Sequence, residues 1–132
     1  MGAQTALLRG RALAESRMWD ACIIRRRTDA STTDDITGVV TPVYTTVYTG
    51  KCRLQQSLAM GQRVESGQMS TVVERRELQL PVIASAAVRQ DDEAEITVCQ
   101  LDPGMVGRTF VLRDEHGKSE ATARRMTCEE PT

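Results

Sequence analysis

From Glu77 to Asp114 the apolar residues stand at every second position, in short runs broken by turn chemistry. That period constrains the fold more than anything else in the chain. Leu78, Leu80 and Val82 share one face of the first run, Ile96 and Val98 are in register within "AEITVC", and Phe110 and Leu112 share a face of "GRTFVLRD". A period of two sends one side of each run into a core and the other outward, as in a half-buried strand. Pro81 marks an edge or a bulge. "DPG" at Asp102 to Gly104 is turn chemistry, and "EHGK" closes a hairpin into "SEATARRMTCEE". Several short strands at this spacing indicate an antiparallel barrel or sandwich.

The first half carries the same signals less densely. "GAQTALLRGRALAESRM" reads as a helix, with Ala3, Ala6, Leu7, Gly10, Leu13, Ala14 and Met18 at three- and four-residue spacing. A helix of about 16 residues is marginal alone, so it must dock, either on its own domain or on a neighbouring subunit. Leu7, Leu13, Met18 and Trp19 are the expected anchors. "DACIIRRRT" is a strand. In "VYTTVYTGKCRLQQ", Val43, Thr45 and Val47 alternate with Tyr44, Thr46 and Tyr48, and Gly50 supplies a turn or bulge. Two aperiodic polar stretches, 29–38 and 57–70, read as long exposed loops, which are more often functional than idle. The expected organisation is a docking helix over 1–18 and a β domain over 19–132.

A chain of 132 residues is expected to be one domain. Its only aromatics are Trp19, Tyr44, Tyr48 and Phe110, so the core must be mostly aliphatic and thin. A partner that covers more apolar surface would help, which suggests an oligomer. The net charge of −1 gives no general attraction to nucleic acid or membrane. Of seventeen basic residues only Lys51 and Lys118 are lysine; arginine is favoured in interfaces, and equally by a GC-rich genome. No stretch approaches the roughly 18 apolar residues that span a bilayer, and no signal peptide opens the chain, so synthesis in the cytoplasm is expected. Cys22, Cys52, Cys99 and Cys128 lack the close pairs of a zinc site and read as buried thiols.

The sequence carries no recognisable catalytic or ligand-binding constellation. His116 sits in a hairpin turn without a partner, where a general base would need one. Asp34 with Asp35, and Asp91 with Asp92 and Glu93, lack calcium-loop spacing and read as solvated turns. "GQRVESG" fails as a phosphate loop: five residues separate its glycines where the motif has four, and Gln68 stands in the lysine position. "CIIRRRT" would need further basic residues and stacking aromatics to bind a single strand. No catalytic residue, metal or cofactor is expected.

The order of "WDACIIRRRT", "TGVVTPVYTTVYTGKCRLQQ", "ELQLPV", "VRQDDEAEIT", "DPGMVGRTFVLRD" and "ATARRMTCEE" resembles the head-to-tail stoppers of tailed phages that infect actinobacteria. The similarity covers nearly the whole chain; "YTGKCRLQ", "LQLPV" and "PGMVGRTF" carry it best. The resemblance implies a mainly β subunit: a small antiparallel β-barrel with long loops and one N-terminal helix. Copies would assemble into a ring in the virion neck, closing the DNA exit channel below the portal and adaptor and giving the tail its platform. A six-membered ring is favoured and a twelve-membered ring is the alternative. Portal and adaptor lie above, the tail terminator and tail tube below, and genomic DNA passes without sequence-specific binding. No membrane is involved. Asp34, Asp35, Gln62, Arg63 and Glu65, in the two polar stretches, are the expected contacts with a neighbouring subunit or the channel. A tail terminator or head-completion protein is the competing reading in the same setting. A single-strand nucleic-acid-binding barrel is the competitor from another class, and an enzyme with an unrecognised site comes last.

Overall fold

Each alternating run becomes a strand whose inward residues meet in one core. The computed structural model describes residues 2–56, 63–66, 69–72, 75–115, 117 and 121–131, with backbone alone for 56, 63–66 and 69–72. Helix α1 (Gly2–Ser16) precedes β1 (Asp20–Thr33), β2 (Val40–Gln56), β3 (Arg63–Ser66), β4 (Met69–Val72), β5 (Arg76–Leu80), β6 (Glu93–Val98), β7 (Thr109–Glu115) and β8 (Arg124–Glu129). Six of the strands close into an antiparallel barrel in the order β1-β2-β5-β8-β7-β6. The pair β3-β4 forms a separate two-stranded ribbon. The chain is mainly β, with one N-terminal helix.

Each wall strand gives two buried residues to the barrel interior. Cys22 and Ile24 come from β1, Tyr48 and Cys52 from β2, and Leu78 and Leu80 from β5. Ala94 and Ile96 come from β6, Phe110 and Leu112 from β7, and Met126 and Cys128 from β8. Val88, in the β5–β6 connection, adds to one end of this core. Two aromatic rings among aliphatics and thiols suffice for so small a lumen. At one end Arg76 and Arg108 hold their guanidinium groups 5.5 and 5.8 Å from the Phe110 ring centre, a cation–π arrangement.

Gly50 is not the turn or bulge its sequence setting suggests. It pairs regularly with Cys22, and the register shift falls at Val47 instead, between the pairs Ile24↔Tyr48 and Arg25↔Thr46. Gly50 makes room for a neighbour. The Tyr48 phenol folds back along its own strand and donates to the Lys51 carbonyl at 2.6 Å. A Cβ on Gly50 would meet the Tyr48 oxygen at 2.9 Å, at a backbone φ of +159°. Gly50→Ala is therefore expected to cost about 1–3 kcal/mol by overpacking the lumen, read as a lower urea midpoint at unchanged slope.

Three other expectations change. β5 stops at Leu80, and Pro81 opens a turn-rich connection, so Val82 is not a third inward residue. The stretch 29–38 is strand as far as Thr33 and then a turn, and the stretch 57–70 holds β3 and the start of β4. The helix lies where the sequence places it but is rotated. Its inward face is Leu7, Gly10, Ala14 and Met18, whereas Ala3, Ala6 and Leu13 face out. A Cβ on Gly10 would come within 2.9 Å of the Thr122 methyl carbon. Arg11 Nε donates to the Ala121 carbonyl at 3.0 Å, and Glu15 pairs with Lys51 at 3.4 Å.

Candidate assembly surfaces

In an antiparallel barrel successive connections alternate between the two ends. The β1–β2, β5–β6 and β7–β8 connections share one end, here the upper; the β2–β5 and β6–β7 connections and the α1–β1 junction share the lower. Every candidate surface lies at one of these ends.

The most prominent is an arm at the upper end. Arg25 is the last β1 residue paired with β6. Beyond it β1 and β2 continue only with each other, through Arg26↔Thr45, Arg27↔Tyr44, Ser31↔Pro42, Thr32↔Thr41 and Thr33↔Val40. At about 3.3 Å per residue the ribbon reaches roughly 20 Å past the wall. β-branched Thr and Val hold it extended although no alternation marks a buried face. Residues 29–41 are all exposed. Residues 28–30 bulge opposite Val43, pinned by the Thr28 hydroxyl, which donates to the Val43 carbonyl at 2.8 Å and accepts from Ala30 N–H at 3.3 Å.

The tip is a built turn. Asp34 Oδ1 accepts from Ile36 N–H at 2.8 Å and Thr37 N–H at 3.4 Å. Gly38 N–H donates to the Asp34 carbonyl at 2.8 Å, from a left-handed φ of +72° that favours glycine. The backbone bonds from Ile36 and Thr37 hold the Asp34 carboxyl below the usual carboxylate range. The outcome is a fixed presentation of Ile36, which is 94 % exposed, flanked by exposed Val39 and Val40. Asp35 is exposed beside them. Asp34 and Asp35 thus stand together at the arm tip. Gln62 lies outside the described residues, and Arg63 and Glu65 fall on the backbone of β3, in the ribbon between β2 and β5 along the chain.

Exposed apolar side chains gather at both ends. Ile83 joins the arm tip above; Trp19, Val98, Leu101 and Val106 stand below. Of the four expected helix anchors, Met18 is buried and Leu7 half-buried, whereas Leu13 and Trp19 are each 58 % exposed. As contacts with the chain's own barrel, Leu13 and Trp19 are therefore corrected. The stripe of small residues offered two faces, and the close approach of Gly10 to Thr122 selects the other one.

The acidic cluster near residue 92 also changes meaning. Asp92 is only 1 % exposed, not a solvated turn residue. Arg26 grips it with two bonds, Nε to Oδ1 at 2.9 Å and a terminal nitrogen to Oδ2 at 3.0 Å, and also donates to the Ala87 carbonyl at 2.8 Å. Arg89 N–H adds a third bond to the carboxylate, to Asp92 Oδ2 at 2.8 Å. This contact raises the Arg26 pKa, chiefly through the bond to Asp92. Arg124 secures the same connection from the other side, reaching Ser85 Oγ at 2.9 Å and the Val82 carbonyl at 3.0 Å, and it also pairs with Glu115. Arg25 meets Glu95 at 3.0 Å, which leaves Arg27 as the exposed member of the arginine triplet. Sequence spacing gives no sign of this clamp, because its partners lie 66 residues apart.

Nothing among the described residues gathers three metal-ligating side chains. All four cysteines are free; Cys22, Cys52 and Cys128 are buried, and burial pushes the Cys128 thiol up to about 12. Such thiols behave as small apolar side chains. His116 lies outside the described residues. No described helix is long and apolar enough to cross a membrane. A family model, described as a family of unknown function (DUF6093), matches residues 10–129. No curated protein and no solved structure matches the chain.

Proposed function

Since the chain belongs to the DUF6093 family, whose function is not assigned, we propose from its own architecture that it is a structural subunit of a phage neck. In this reading it is a head-to-tail stopper whose copies form a ring, six-membered in preference to twelve, that closes the DNA exit channel below the portal and adaptor and presents a platform to the tail. The observation that carries the reading is the β1–β2 arm. A two-stranded ribbon wet on both faces is marginal in water by itself. Holding one out with Ile36, Val39 and Val40 exposed makes physical sense when another surface covers it. Apolar residues at the opposite end of the barrel suit a piece that is contacted from above and below. The sequence resemblance to stoppers supplies the setting.

Electron microscopy of the purified protein viewed down its assembly axis tests this. A closed ring with a central pore is expected; a monodisperse monomer at high concentration overturns it. Binding to DNA-filled heads in preference to isolated tails separates a stopper from a tail terminator. A labelled oligonucleotide whose retention falls steeply with salt would instead favour the nucleic-acid-binding barrel.

A further inference from the structure

We propose that the arm tip of one copy seats on the outward flank of helix α1 of the next copy. This rests on the ring reading above and names the contact that builds the ring. Between Thr28 and Gly50 the only charged residues are Asp29, Asp34 and Asp35, so the arm is acidic with an apolar tip. The flank of α1 is its complement. Leu13 is exposed there, with Arg9 and Arg17 one turn before and after it. Four-residue spacing on the helix puts Arg9 beside Leu13, and Arg17 follows, exposed, in the turn that ends the helix. Trp19 extends the patch, its indole N–H donating to the Ser16 carbonyl at 3.0 Å while the ring stays exposed. The helix's own acid, Glu15, is turned to Lys51, so the charge of this flank is positive.

Charge also selects the occupant. Two arms meeting tip to tip would oppose acids with acids, and two helix flanks would oppose arginines with arginines. Arm against helix pairs opposite signs around an apolar centre, an arrangement that steers docking and fixes register. The two patches differ, so the contact is heterologous: each copy offers one arm and one flank, and the series ends only when it closes. The six wall strands close on one another, so the open strand edges among the described residues are those of the arm itself and of the β3-β4 ribbon.

The test replaces Ile36, which has no role within the fold, by a photo-crosslinking residue (Ile36→p-benzoylphenylalanine). The purified assembly is illuminated, and the linked peptides are identified by mass spectrometry. Inter-chain links to the tryptic peptides covering residues 12–17 or 18–25 are expected. Arg9→Glu with Arg17→Glu should weaken self-association roughly tenfold or more while leaving the barrel's unfolding midpoint in place. Links to another part of the barrel, or from arm to arm, in an intact ring overturn this contact and leave the ring reading standing. A monomer without inter-chain links overturns both.

Discussion

Replacing Arg26 with alanine is expected to lower the stability of the barrel more than any other single surface-reaching substitution. The reason lies in what is left behind. The Asp92 carboxylate is almost wholly buried and, among the described residues, would keep only the Arg89 N–H as a partner. Taking the partner away from a buried carboxylate is costly, because an uncompensated charge stays in the low-dielectric interior. The reverse change, Asp92→Asn, is milder, since the half-exposed arginine can turn to water. Arg26→Met combined with Asp92→Asn should recover part of the Arg26→Ala loss, since no charge remains to be stranded. Urea midpoints of the four proteins, compared at common slope, decide it. Equal losses for Arg26→Ala and Asp92→Asn would show that the buried carboxylate is not the source.

Removing the arm should have the opposite profile, with stability kept and assembly lost. Arg27 and Tyr44 face each other across the ribbon, so replacing residues 28–43 with Asn-Gly joins them through a two-residue turn of the kind hairpins prefer. None of the removed residues belongs to the core. The unfolding midpoint should move by less than about 5 °C, the scale of a 1 kcal/mol change in a chain of this length. Light scattering should then find monomer where the intact protein, on the proposed reading, is expected to give a ring. A ring of normal mass from the shortened protein would falsify the arm's role in assembly. A large drop in midpoint would show instead that the arm supports the barrel.

The barrel was legible in the sequence because its wall strands are wet on one side and dry on the other. That asymmetry writes a period of two into Leu78 and Leu80 and into Phe110 and Leu112, whereas Val98, read in register with Ile96, is exposed and Ala94 fills the inward place instead. The arm was not legible for the matching reason. Residues 29–33 and 40–41 are wet on both sides, so no alternation marks them, and only the run of β-branched Thr and Val hints at extended chain. The helix was visible as a stripe, but small residues cannot say which side a helix buries. That is decided by a methyl group on Thr122, more than a hundred residues away. Asp92 shows the same limit. Its burial is a property of the β5–β6 connection folding under Arg26, and neighbouring acids in the sequence made it look like a solvated turn.

The bulge at residues 28–30 sets where the ribbon's two faces point as it leaves the wall. Beyond the bulge, every residue added to one strand turns the following side chains to the opposite face. Arm length in this fold therefore obeys a parity rule. Relatives or designs with arms longer by an even number of residues on each strand carry Ile36's equivalent to the same side, only farther out. Odd increments would deliver it to the reverse side, so an arm that keeps its tip facing the same way can lengthen only in steps of about two residues.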